Sequence, residues 1–92
     1  MNLRDTARYR RDVVEVAAHY EAIRPALAID FLTCLEEARS RLASHPRAFR
    51  ERKEEVRIVL LRRFPYALRF RVPRAKDALR VLSLTHVARR PE

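Results

Sequence analysis

A chain of 92 residues can close around one hydrophobic core and has no material for a second, so residues 1–92 are expected to form a single domain. With 48% hydrophobic and 36% charged residues, the composition is that of a folded chain and excludes a disordered one. A formal net charge of +9 points toward nucleic acid, an anionic surface or an acidic protein as partner. Zero glycines, one cysteine and three scattered histidines exclude a glycine-rich phosphate loop and any zinc-ligand spacing, so no metal and no cofactor are expected.

The charge is unevenly spread. Residues 1–46 carry 7 Lys and Arg against 7 Asp and Glu, and residues 47–92 carry 14 against 5, which places the whole excess in the second half. Cys34 falls inside an apolar helical pattern and reads as a small core residue. The sequence has no apolar run of the roughly 18 residues that a membrane span needs. Residues 1–11 are polar and mixed in charge, unlike a secretory leader, so a cytoplasmic protein without membrane association is expected.

In chain order, residues 1–5 offer a short edge strand with little periodic support. Thr6 is a suitable N-cap for a helix over residues 6–23, in which Val13, Val16, Ala17, Tyr20 and Ile23 share one face. Arg24-Pro25 interrupts that helix and starts a second over residues 25–44, with Leu27, Phe31, Leu35, Ala38 and Leu42 as its apolar stripe and His45-Pro46 as its end. So short a connection makes the two helices an antiparallel hairpin. After a polar connector over residues 47–55, the period changes to that of strands. Residues 56–64 are rich in Val, Ile and Leu, and Tyr66, Leu68, Phe70 and Val72 alternate with Ala67, Arg69 and Arg71. A turn over residues 73–77 leads into a further strand over residues 79–86. The expected architecture is α+β, an N-terminal helical hairpin covering an antiparallel three-stranded meander. Without glycine, any turn that needs a positive φ must place another residue there at a cost.

The residues that could carry chemistry are mostly arginines. Arg69 and Arg71 share the polar parity of their strand, and Arg57 and Arg63 share one parity of the strand before it. Such a basic sheet surface can neutralise phosphates or stabilise the charge that develops when a phosphodiester is attacked, and the alternative is a solvated arginine face. His86, followed by Arg89 and Arg90, has the titration range of a general acid–base. It is in step with Leu82 and Leu84 but also with Arg80, so alternation leaves open whether it faces the core or the basic surface. His19 and His45 read as ordinary helix-surface and helix-end residues. No recognition helix stands out for a free DNA-binding module, because the excess charge lies on strands and loops.

The segments VVEVAAHYEAIRPALAIDFLTCLEEARSRLASHP, VRIVLLRRFPYALRFRV and LRVLSLTHVARRP resemble, in order and spacing, the RelE/ParE superfamily of toxins from type II toxin–antitoxin systems. The most specific parts are Tyr20-Glu21, Pro25, Phe31 and Leu35, then Arg63-Phe64-Pro65-Tyr66, then His86 with Arg89-Arg90-Pro91. The resemblance implies the order β-α-α-β-β-β, with the N-terminal strand joining the sheet. It also implies a toxin neutralised in a heteromeric complex by a cognate antitoxin whose disordered C-terminal part folds over it; the antitoxin-contacting residues are not assigned.

Two activities divide that superfamily. RelE-like members are ribosome-dependent mRNA endonucleases, for which Arg63 and His86 are the catalytic candidates here. ParE-like (plasmid stabilisation) members inhibit DNA gyrase without being enzymes. The RRFPY segment and the His86–Arg90 ending look more ParE-like. An arginine of the nuclease branch corresponds to Ala67, and Arg69 lies about 6.6 Å further along the strand. The expectation is a ParE-like gyrase inhibitor, with a RelE-like RNase or a detoxified antitoxin-binding member as alternatives. Arg57, Arg63, Arg69, Arg71, Arg89 and Arg90 are the candidate residues for target or nucleic-acid binding.

Overall fold

The computed structural model describes residues 2–73 and 78–89. Its elements are β1 (Leu3–Asp5), α1 (Ala7–Ile23), α2 (Pro25–Ser44), a 3-10 turn at Pro46–Ala48, β2 (Glu51–Lys53), β3 (Val56–Leu60), β4 (Tyr66–Arg71), β5 (Leu79–His86) and a 3-10 turn at Val87–Arg89. The fold is α+β, with the helical pair on a five-stranded sheet of order β1-β5-β4-β3-β2. β1 runs parallel to β5 and the remaining pairs are antiparallel. Apart from Pro73, the turn expected over residues 73–77 lies outside the described residues.

Both helices begin and end where the sequence indicates. Thr6 caps α1 by accepting from the Tyr9 amide at 3.1 Å. Arg24, in extended backbone, is the C-cap of α1 and the N-cap of α2, with Pro25 in the first turn of α2. α2 buries Ala28, Phe31, Leu35, Ala38 and Leu42, and the last four meet Val59, Leu68, Phe70, Leu79, Val81 and Leu84 from the sheet in one core. Phe31 and Phe70 are fully buried, and each such side chain contributes about 1.5–3 kcal/mol over its exposed state. Cys34 is partly buried against this core, as a small apolar residue.

The stripe of α1 sits one turn nearer its start than expected. Ile23 is 60% exposed, whereas Tyr9 is buried. A phenol can be buried if its hydroxyl finds a partner. That partner is Arg39, whose guanidinium lies 5.5 Å from the Tyr9 ring centroid and 3.0 Å from Asp5 on β1, so one side chain of α2 ties down both α1 and β1. Burial pushes the Tyr9 phenol above 10.0, against the opposing pull of Arg39. Burial also works against the Arg39 charge, but hydrogen bonds to Asp5 and Tyr9 outweigh it.

The structure has one strand more than the expected order. β2 lies in what the sequence presents as a polar connector, because its three residues Glu51, Arg52 and Lys53 are all exposed and leave no apolar alternation to read. It forms a hairpin with β3 in which Lys53 opposes Val56. The two residues between them, Glu54 and Glu55, have φ of 52° and 69°, the left-handed pair that a two-residue I′-type turn demands. Each costs a non-glycine residue about 1–2 kcal/mol. The Glu51 carboxylate offsets part of this by accepting from the Glu55 amide at 3.1 Å.

One irregularity in β5 controls which residues face the helices. Arg69 opposes Ser83 but Phe70 opposes Val81, so Leu82 is an extra residue. Before this bulge Leu79 and Val81 face the core, and after it Leu84 and His86 do. The bulge is held from α1 and its cap: the Thr6 amide donates to the Val81 carbonyl at 3.1 Å, the Thr6 hydroxyl to the Leu82 carbonyl at 2.8 Å, and the Leu84 amide donates to the Asp12 carboxylate at 3.0 Å.

Two outcomes follow for chemical denaturation. Thr6→Val, which keeps the shape but removes both hydroxyl hydrogen bonds, should lower stability by about 1–2 kcal/mol, and an unchanged midpoint would contradict the double role of this cap. Replacing Glu54-Glu55 by Asn-Gly should raise stability by about 1 kcal/mol, and a lowered midpoint would mean that the glutamate side chains outweigh the backbone strain.

Candidate functional site

The sheet has one face under the helices and one open face. Directly paired residues share a face, so Arg69, Arg71 and their partners Ser83 and Arg80 lie on the open one, together with Arg4, which pairs Arg80 from β1. Four arginines therefore cross three strands of the open face. Arg69 donates to the Ser83 hydroxyl at 3.4 Å, and Arg4, Arg71 and Arg80 line, with Pro73 and Ala78, a depression of about 460 Å³. Arg4 and Arg80 enter this surface without having been singled out by sequence. Their signal was present but unreadable: Arg80 changes face only through the bulge at Leu82, and Arg4 only through the parallel register of β1.

Arg57 and Arg63 do not join this surface. Arg57 pairs Phe70, which puts it on the helix-facing side of β3, and its side chain is only 12% exposed. Its guanidinium donates to the Phe49 carbonyl at 2.5 Å and lies 3.4 Å from the Glu51 carboxylate. It thus clamps the connector and β2 onto β3, with its Nε buried and without a hydrogen-bond partner. Shared parity with Arg63 is no guide to the face of Arg57, because Arg63 is not in the strand. β3 ends at Leu60; Arg63 has a φ of 71° in the following turn, where it lies 3.6 Å from Asp30 of α2 and over the Phe64 ring. Arg89 closes the last 3-10 turn, its side chain lies outside the described residues, and so does all of Arg90.

His86 takes the other side of the sheet from Arg69 and Arg71. It opposes Tyr66, with ring centroids 5.2 Å apart in an edge contact. Its Nδ1 accepts from the Ala88 amide at 3.1 Å, which in the neutral ring leaves the proton on Nε2. Together with Arg8, Asp12, Glu15 and Tyr66 it lines a cleft of about 240 Å³ between α1 and the end of β5, and Arg63 is not among the lining residues. Behind it, Tyr20 packs on Phe31, Phe64 and Tyr66. Burial and the neighbouring Tyr66 push the Tyr20 phenol up. Histidine and the phosphate-type cations are thus on opposite sides of one sheet. His86 faces its own cleft, and the open face presents a row of arginines. Ala67 is fully buried between Leu60 and Thr85.

No family model matches the chain, and neither does any curated protein. Among solved structures, the chain is similar to one from the "Chromosomal ParDE TA system from P. aeruginosa", with a TM-score of 0.79, 24% identity, and coverage of 95% of this chain and 96% of that one. The likeness therefore spans the whole fold, helical pair and sheet together. No group of three or more His, Cys, Asp or Glu able to hold a metal ion occurs among the described residues, and no described helix is long and apolar enough to cross a membrane.

Paired substitutions separate the two kinds of arginine. Arg57→Met strands the Phe49 carbonyl and should cost about 1–3 kcal/mol in urea unfolding, whereas Arg69→Gln should change stability by less than about 0.5 kcal/mol. The reverse ranking would return Arg57 to the surface and make Arg69 the structural residue.

Proposed function

We propose that this chain is the toxin of a type II toxin–antitoxin pair, of the ParE-like kind directed at DNA gyrase, held inactive in a complex with its cognate antitoxin in the cytoplasm. The observation that carries the reading is the end-to-end likeness to a chain of a ParDE system, joined to the sequence resemblance in the helical hairpin, the RRFPY turn and the His86 ending. The charge of +9 suits a partner rich in acidic side chains, which steer association and complement the open face. Arg63, Arg69 and Arg71, with Arg89 and Arg90, are the proposed target-contacting residues. Arg57 is left out because its guanidinium is engaged within the fold.

A RelE-like mRNA endonuclease with Arg63 and His86 as catalytic residues is the second reading. It needs both groups at one phosphodiester, yet Arg63 is paired with Asp30 and does not line the His86 cleft, where Arg8 is outnumbered by the carboxylates Asp12 and Glu15. This favours a protein that acts by binding.

Induced expression of the chain alone, with plasmid supercoiling and mRNA integrity followed in the same cells, discriminates these. The expected outcome is relaxed or broken DNA with intact transcripts, abolished by co-expression of the antitoxin. Rapid transcript cleavage would replace the gyrase reading with the nuclease, and normal growth with both readouts unchanged would leave a detoxified antitoxin-binding member.

A further inference from the structure

Arg4, Arg80 and Arg71 come from three neighbouring strands, and the register sets Arg4 opposite Arg80 and Arg80 opposite Arg71. At ordinary strand spacing the outer two Cα atoms are about 10 Å apart, within the combined reach of arginine side chains. Like charges placed directly opposite across strands oppose each other, and here two such pairs are consecutive. Arg8, Arg39, Arg41, Arg57, Arg62 and Arg63 each lie within 4.0 Å of a carboxylate, whereas exposed arginines such as Arg10 and Arg50 do not, so what sets Arg4, Arg71 and Arg80 apart is their adjacency across three strands. No described carboxylate pairs with Arg4, Arg71 or Arg80. Asp5, next to Arg4 in sequence, is turned to the opposite face and taken by Arg39. Glu51, Glu54 and Glu55 line a separate depression, which also touches Arg71.

We propose that Arg4, Arg71 and Arg80 form a binding site for a phosphoryl group, carried by a free nucleotide or by the end of a nucleic-acid strand. A terminal phosphate brings close to two negative charges and three acceptor oxygens, enough to engage three guanidinium groups. A single carboxylate brings one charge and two oxygens, satisfies one guanidinium fork and leaves two cations facing each other. The depression of about 460 Å³ is of small-ligand size, and Pro73 and Ala78 give it an apolar wall. Recognition rests on the phosphate and not on a stacked base, because the aromatic rings of β4, Tyr66 and Phe70, face the helices. The site shares Arg71 with the proposed target-contacting residues, and its test does not use the toxin activity.

The test is calorimetric titration of the full chain with inorganic pyrophosphate, a nucleoside triphosphate, and a short single-stranded oligonucleotide with or without a 5′ phosphate. Saturable one-to-one binding of pyrophosphate is expected, weakened about tenfold or more in Arg71→Gln and in Arg80→Gln. Arg50→Gln, which removes one exposed charge elsewhere, should change it less than about twofold. Circular dichroism confirms that each variant is folded. Tighter binding of the triphosphate than of either oligonucleotide assigns the site to a free nucleotide, and a preference for the 5′-phosphorylated strand assigns it to a nucleic-acid end. Three results would each overturn the proposal: binding without saturation, equal weakening in Arg50→Gln, or tighter binding of a glutamate-rich peptide to the same arginines.

Discussion

The placement of Arg80 and His86 on opposite faces of the sheet depends on the extra residue at Leu82. A strand has period two, so inserting one residue moves everything beyond it to the opposite face. Without the bulge, the strand that buries Leu79 and Val81 would also bury Ser83 and Thr85 under the helices and turn Leu84 and His86 outward. The bulge is not held by the sheet itself, whose ladder it interrupts. It is held by Thr6 and Asp12, which supply a donor to the Leu82 carbonyl and an acceptor to the Leu84 amide from the start of α1. A helix cap and a strand irregularity far apart in sequence are therefore one construction, and the position of His86 depends on it.

The same dependence explains what the sequence could and could not convey. Helical stripes repeat over several turns, so the bounds of α1 and α2 are legible from Thr6, Arg24-Pro25 and His45-Pro46 alone. Strand parity is legible only while a strand is regular, and one inserted residue defeats it. This is why His86 fitted two faces at once. β2 was hidden for a different reason: its three side chains are all in solvent, and its pairing rests on backbone hydrogen bonds and on the Arg57 clamp, neither of which leaves a pattern in hydrophobicity. Shared parity with Arg63 misplaces Arg57, because the strand ends at Leu60 before Arg63 is reached. Arg57 points inward and its head is satisfied by the Phe49 carbonyl.

A chain without glycine turns at a cost, and the cost is localised. The described residues with positive φ are Glu54, Glu55 and Arg63, all in the two turns that flank β3. In one, a carboxylate from β2 caps the strained amide; in the other, Arg63 is anchored to Asp30 of α2 and lies over Phe64. A side chain from the neighbouring strand in one turn, and the strained residue's own side chain in the other, thus hold the unfavourable backbone in place. The second turn also delivers Phe64 and Tyr66 to the aromatic group around Tyr20, so its strain is tied to core packing.

The sheet separates two chemistries that a nuclease would need together. On the helix side, His86 sits among Tyr66, Arg8, Asp12 and Glu15; on the open side, Arg4, Arg80 and Arg71 stand in a row with no ion pair to a carboxylate among the described residues. A partner that engages both must pass around an edge of the sheet, and β1, a three-residue strand paired on one side only, is the short way round. A rigid partner would need a cleft of matching shape, whereas a segment that orders on binding can follow such a path while matching charge on one face and shape on the other.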